Sequence, residues 1–228
     1  MKINSLIGVL STFCVVSICS CGSNGSNVSA ERAQYVKDSI ARAQFVKDSI
    51  AKEEFRRDSI AKATENAKII NKCKSLYIVD KDEFSKYQWI KPKSAPKYRN
   101  SNGVYCYFAL ENDKPKLLRF VFQYYADSWL FIDNMVFNID DELITIKPTM
   151  KTDCGEGGNI WEWCDEYVGG DVVNEDFIKK IANAKSVKVK LNGTNYYDTK
   201  TLTPNQIKSI KDTYDYYTAL GGKIIKKQ

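Results

Sequence analysis

The chain has no histidine among its 228 residues. That absence excludes Ser-His and Cys-His nucleophilic catalysis, and any site that needs an imidazole ligand. Proline is scarce: there are 5, and the first is Pro92. Gly25 is the last glycine before that point, so nothing in residues 26–91 forbids one long helix. A strong charge imbalance is also missing. The formal net charge is +6, from 34 basic and 28 acidic residues, and the lysines are scattered and often alternate with acids. A nucleic-acid partner therefore has no basic stripe to bind. Nor is the apolar stretch from Leu6 to Ile18 long enough to read as a spanning helix; Gly8, Ser11, Thr12 and Ser17 interrupt it. What remains is ordinary for folded protein, with 43% hydrophobic and 27% charged residues.

The apolar stretch has the layout of an export signal. Lys2 gives a positive start, Leu6 to Ile18 the apolar segment, and Ile18-Cys19-Ser20-Cys21 closes it before Gly22. Those four residues resemble the lipobox of bacterial lipoproteins, in which an aliphatic residue lies three before an invariant cysteine. The family residue falls on Cys21. Cys19 is a poorer match, because Ile18 rather than a small residue precedes it. The resemblance implies a signal peptide over residues 1–20, cleavage before Cys21, and acylation of the Cys21 sulfur and its new amine. Three acyl chains bury enough methylenes for stable anchoring. The implied partner is thus a membrane, reached through the lipid anchor. Gly22 in place of an acid implies an outer membrane, and the lack of an acidic cluster after Cys21 points to its periplasmic side.

Residues 21–30 contain "GSNGSNVS" and read as flexible linker. Residues 31–72 differ. "ERAQYVKDSI ARAQFVKDSI AKEEFRRDSI" is one decapeptide written three times, each copy running into Asp-Ser-Ile-Ala (38–41, 48–51, 58–61). Ten residues advance a helix by about 1000°, roughly 80° short of three turns. Ile40, Ile50 and Ile60 therefore walk around the axis, as do Tyr35, Phe45 and Phe55, and no heptad stripe of a coiled coil forms. Acid-first pairs at i,i+4 (Asp38–Arg42, Asp48–Lys52, Asp58–Lys62) are expected to support the helix by about 0.2–0.5 kcal/mol each. The expectation is a helical tether that sets a distance, roughly 60 Å from residue 31 to residue 70. The competing expectation is an oligomerisation helix, since its Phe and Ile side chains gain by leaving water. Asp-Ser-Ile also resembles the Asp-Ser/Thr-aliphatic acceptor of periplasmic O-glycosylation in some gut-associated Gram-negative bacteria. That resemblance implies Ser39, Ser49 and Ser59 as candidate acceptors.

Residues 73–228 are long enough for one core. "NSNGVYCYFAL" alternates, with Val104, Cys106, Phe108 and Leu110 on one side and Tyr105, Tyr107 and Ala109 on the other. "KLLRFVFQYY" places Leu118, Phe120, Phe122 and Tyr124 on its apolar face. "WLFIDNMVFNI" and "ELITIKP" form a hairpin around Asp140-Asp141. "NIWEWCDEYV" is a further strand, with Trp161, Trp163 and Tyr167 opposite Glu162, Cys164 and Glu166. "SVKVKLNGTNYYDTKTL" reads as a hairpin turning at Asn192-Gly193, with Val187, Val189 and Leu191 inward. Two helices follow from their caps. One starts at Asn174; the other has Thr203 as cap, Pro204 at the first position, Gln206 completing a capping box, and Leu202 with Ile207 as hydrophobic staple. The predicted fold is α+β: an antiparallel sheet or sandwich with a packed C-terminal helix, preceded by a long helical tether. The domain resembles those of uncharacterised gut-bacterial lipoproteins, a likeness that implies no chemistry.

Candidate chemistry is sparse. Besides the anchor, Cys73, Cys106, Cys154 and Cys164 remain after export, and Cys154–Cys164 would close a short disulfide loop around "GEGGNIWEW". Cys106 and Cys164 read equally as small buried apolar residues. No spacing resembles a zinc site, and the acids Asp153, Glu156, Glu162, Asp165 and Glu166 do not follow a calcium loop, so no metal or cofactor is expected. Aromatics make up 12% of the chain. Trp161, Trp163, Tyr196 and Tyr197, with Tyr124 and Tyr125, are the candidate ligand platform, weighed against ordinary core pairs. The functional expectation is a non-catalytic binding or structural module facing an envelope protein or glycan. The alternative is a periplasmic hydrolase using paired carboxylates.

Overall fold

The computed structural model describes residues 25–155 and 157–225. Cys21 and the expected signal segment lie outside them. The chain divides into two units, Met1–Arg57 and Asp58–Gln228.

Helix α1 (Gly25–Lys74) accounts for the described part of the first unit and continues into the second. It begins inside the stretch expected to be linker. Side chains from Ala30 to Arg57 are exposed almost throughout, with Tyr35, Phe45 and Phe55 at 75%, 73% and 75%. This follows from the ten-residue period, which spreads large apolar groups around the axis instead of along one side. The expected i,i+4 ion pairs of the repeat do not form among the described residues. Asp38 and Asp48 instead accept from the Gln34 and Gln44 amides at 3.0 and 2.8 Å. A solvated ion pair is worth little, and a neutral amide one turn earlier takes the same oxygen. Among the described residues no helix is long and apolar enough to cross a membrane.

The second unit holds two antiparallel sheets. The strands are β1 (Tyr77–Lys81), β2 (Gln88–Pro92), β3 (Gly103–Glu111), β4 (Lys114–Ala126), β5 (Ile132–Ile139), β6 (Glu142–Ile146), β7 (Lys151–Cys154), β8 (Ile160–Tyr167), β9 (Val187–Gly193) and β10 (Tyr197–Thr201). The larger sheet has the order β1-β2-β3-β4-β8-β7, the smaller β10-β9-β5-β6. Helices α2 (Glu175–Asn183) and α3 (Pro204–Ala219) complete the unit, giving the expected α+β fold.

Alternation decides what each strand buries. Val104, Cys106 and Phe108 of β3 and Leu118, Phe120 and Phe122 of β4 face inward, as read from the sequence. They meet Met135 and Phe137 of β5 and Val187, Val189 and Leu191 of β9. The Phe137 ring lies 6.4 Å from Phe120, 6.5 Å from Phe122 and 5.0 Å from Phe177 of α2. Farther along the larger sheet, α3 replaces the smaller one: Tyr216 and Tyr217 pack edge-on to Phe108 at 5.5 and 5.6 Å. The α3 capping box is complete, and Asn174 caps α2 through the Phe177 N–H at 2.9 Å. The last turns of α1 join the core through Ile69, Ile70 and buried Cys73, with Lys72 bound to Asp212 of α3 at 2.9 Å.

One glycine was misread. Strand β9 runs through Gly193, and the turn follows it at residues 194–196. The close approach of Leu130 dictates the residue: a Cβ at Gly193 would lie 1.9 Å from the Leu130 carbonyl oxygen. Asp140 and Asp141 do form the β5–β6 turn, with φ of 47° and 73°.

Candidate functional site

The inner face of the larger sheet is core; its outer face carries polar chemistry. Strand register sets side chains there in rows. Trp89 lies between Asp80 and Ala109, Tyr107 pairs with Arg119, and Tyr105 with Val121 beside Asp165. Gln123 lies between Gly103 and Trp163, and Tyr125 pairs with Trp161. The loop of residues 93–102 lies across this face. The Asn102 amide exchanges two 3.2 Å hydrogen bonds with the Tyr125 backbone, and Lys91 Nζ donates to the Pro96 carbonyl at 3.0 Å. Pro96 presses on Gly103, where a Cβ would be 2.5 Å from its Cγ. Tyr105, Ala109, Val121 and Gln123 are buried although they point away from the core. The middle strands are thus covered on both sides, which explains their near-continuous apolar sequence.

Under the loop, Asp165 organises the charges. It accepts from Arg119 Nε at 2.7 Å and from the Tyr107 hydroxyl at 2.8 Å, and more loosely from Arg99 Nη2 at 3.5 Å. Arg119 also donates to the Asp165 carbonyl at 2.5 Å. Burial works against the Arg119 charge, but its bond to Asp165 outweighs this and raises its pKa. Arg99 is less well held. Its Nη1 is buried without a partner, and its Cζ sits 5.6 Å from the Trp163 ring centroid. Beside it, Lys91 lies 5.1 Å from the centroid of the Tyr105 ring. Burial, then the neighbouring Arg99, push the Lys91 pKa down. Burial raises those of Tyr105 and Tyr107, with Asp165 adding to both. Asp80, Trp89, Lys91, Arg99, Tyr105 and Tyr107 line a recess of about 210 Å³. It combines cations, a hydroxyl and ring faces, a set suited to holding a polar ligand in one orientation.

Several expectations are corrected here. The four aromatics do not form one platform. Trp161 and Trp163 are half-buried on the outer face of the larger sheet. Tyr196 and Tyr197 are 76% and 65% exposed and belong to the β9–β10 hairpin of the smaller sheet, where Lys190 covers Tyr197 at 4.2 Å. The two sheets pack through their inner faces, so these pairs lie on opposite sides. Tyr124 points inward and meets Lys200 at 5.2 Å; Tyr125 alone joins the tryptophans.

The Cys154–Cys164 disulfide is also overturned: both are free thiols. Cys154 is exposed opposite Ile160, whereas Cys164 is buried farther along β8. Four residues of strand separate Ile160 from Cys164, about 13 Å, and a disulfide needs Cα atoms within about 7 Å. Cys106 and Cys164 follow the other reading, as small buried groups. Burial pushes the Cys164 thiol up to about 12.

The carboxylates have separate duties. Glu162 points into the core, fully buried, and accepts the backbone N–H groups of Leu130, Phe131 and Ile132 at 2.7, 2.9 and 2.8 Å. Phe131 has a φ of 52°, which curls these three donors towards one point. Glu166 accepts from the Thr149 N–H at 3.1 Å. Among the described residues no group of three or more His, Cys, Asp or Glu side chains is placed to hold a metal. Ser39, Ser49 and Ser59 are exposed on α1, and Ser49 donates to the Phe45 carbonyl at 2.8 Å.

Sequence reasoning missed Lys91, Arg99 and Arg119, and weighed Asp165 only as one of a cluster of acids. One signal was present: Arg119 and Asp165 each stand at an outward position of a predicted strand. No protein-family model, curated protein or solved structure matches the chain.

Proposed function

We propose that this chain is a lipid-anchored envelope protein whose second unit is a non-catalytic binding module. Cys21 carries the lipid, in the outer membrane facing the periplasm. Helix α1 is the spacer; its fifty residues correspond to about 75 Å. The module binds an envelope protein or glycan through the outer face of its larger sheet. The observation that carries this reading is the pair Lys91 and Arg99. Lys91 donates to a neutral carbonyl and Arg99 is held to Asp165 only loosely, at 3.5 Å, and both line the recess together with the rings of Trp89, Tyr105 and Tyr107. The placement of Glu162 and Asp165 argues against hydrolysis by that pair. Glu162 is consumed by backbone N–H groups and Asp165 by Arg119 and Tyr107, which leaves neither free to act as acid or base.

Two measurements test the proposal. Replacing Cys21 with serine should move the protein from the membrane to the soluble fraction; unchanged sedimentation overturns the anchor. A photo-crosslinking residue at Ile78, on the outer face beside Lys91, should capture an envelope component in native cells. The same residue at exposed Leu143 of the smaller sheet should not. Capture from 143 alone overturns the binding face.

A further inference from the structure

We propose that the recess between β2, β3 and the 93–102 loop takes the carboxylate-bearing ring of an acidic saccharide. This rests on the binding face argued above and names its ligand class. The charge count selects the anion. Lys91, Arg99 and Arg119 face Asp165 and Asp80, and three cations against two carboxylates leave one positive charge. That surplus suits a singly charged carboxylate better than a phosphate dianion. The geometry locates it. Arg119 is engaged by Asp165, so the free capacity lies on Lys91 Nζ, which donates to a neutral carbonyl, and on Arg99, held to Asp165 only at 3.5 Å. A guanidinium edge and an ammonium converging on one carboxylate make charge-assisted hydrogen bonds.

The walls select what carries the anion. Trp89 is half-buried between Tyr87 and Tyr107, with ring centroids 5.9 and 5.3 Å away, and this cluster fixes the indole. A held ring face is a stacking surface for the apolar C–H face of a pyranose. At about 210 Å³ the recess is below the roughly 300 Å³ where sites for whole drug-sized ligands begin. It holds one sugar ring of a longer chain, and the remaining rings run along the surface.

The test uses the purified full-length protein and trigalacturonate, followed by tryptophan fluorescence and calorimetry. Saturable binding is expected. Lys91→Gln, which removes the charge but keeps a polar side chain, and Trp89→Ala should each weaken it at least tenfold, while Tyr197→Ala leaves it unchanged. The fully methyl-esterified trisaccharide, which has the rings without the charge, should bind at least tenfold more weakly. Equal binding of the ester overturns the anion, equal binding of acetate overturns the ring, and tighter binding of inorganic phosphate overturns the single charge. No binding of trigalacturonate overturns the inference altogether. In that last case, crosslinks from Ile78 to an envelope component would still support the binding face, and their absence would remove that as well.

Discussion

Glu162→Gln probes the contact that ties the two sheets together. Glutamine keeps the shape of the side chain but only one acceptor oxygen. That oxygen can still receive the Leu130 and Phe131 N–H groups, which Oε1 accepts at 2.7 and 2.9 Å. The new NH2 group then faces the Ile132 N–H, which Oε2 accepts at 2.8 Å. Two hydrogen bonds fall from charged to neutral strength, a loss of about 0.5–1.5 kcal/mol each, and one buried donor is orphaned at about 1–3 kcal/mol. Removing a buried charge returns part of this. The expected net loss is about 2–4 kcal/mol. Glu162→Ala orphans all three donors and leaves a void, so it should cost more, a large part of the 5–15 kcal/mol typical of a domain. Urea unfolding followed by tryptophan fluorescence measures this cleanly. All 4 tryptophans (Trp89, Trp129, Trp161 and Trp163) lie in the second unit, so α1 residues of the first unit do not contribute. The midpoint should fall while the slope stays constant. If the Gln variant stays within about 0.5 kcal/mol of the parent, the carboxylate is not holding this backbone and the reasoning fails.

Other outcomes are equally open to measurement. In the native protein a maleimide should label Cys154 at once, and Cys73, Cys106 and Cys164 only after denaturation; a Cys154–Cys164 bridge in the mass spectrum would contradict the strand register. Gly193→Ala should destabilise the second unit by about 2–3 kcal/mol, because the new Cβ collides with the Leu130 carbonyl; a neutral effect would place the β5–β9 contact wrongly. Asp212 has a depressed pKa: burial opposes its charge, but Lys208 and Lys72 overcome that. Its contribution is therefore complete above the ordinary aspartate range and is lost as pH falls through the lower folded value. Asp212→Asn should lower stability at neutral pH and flatten the acid limb of the stability curve; an unchanged acid limb would show that Lys72 and Lys208 do not hold the carboxylate.

Legibility followed the range of the interactions. The α3 cap was readable because all its parts lie between Leu202 and Ile207, and local spacing specifies them. The inward faces of β3, β4 and β9 were readable because alternation needs only one strand. The recess was not, because Lys91, Arg99, Arg119 and Asp165 come from four separate segments that meet only through sheet order. The pairing of β4 with β8 brings Arg119 to Asp165 across a long stretch of chain, and no periodicity encodes it. The disulfide failed for the same reason: proximity in sequence suggested a loop, while the β7–β8 pairing pulls the two sulfurs apart. The burial of Glu162 could have been inferred. An acid that alternates in phase with Ile160 and Cys164 stands at a core position, and a core acid needs a reason.

Residues 130–132 amount to an anion receptor whose guest is supplied by the opposite layer. Host and guest reach each other only when β8 sits in its proper frame. A slip of one residue would present Trp161 or Trp163 to three unanswered N–H groups and send the acid out to solvent. The alignment of the sandwich is in this way proof-read at one point by charge, and misaligned pairings of the tryptophan-rich strand leave that point unanswered.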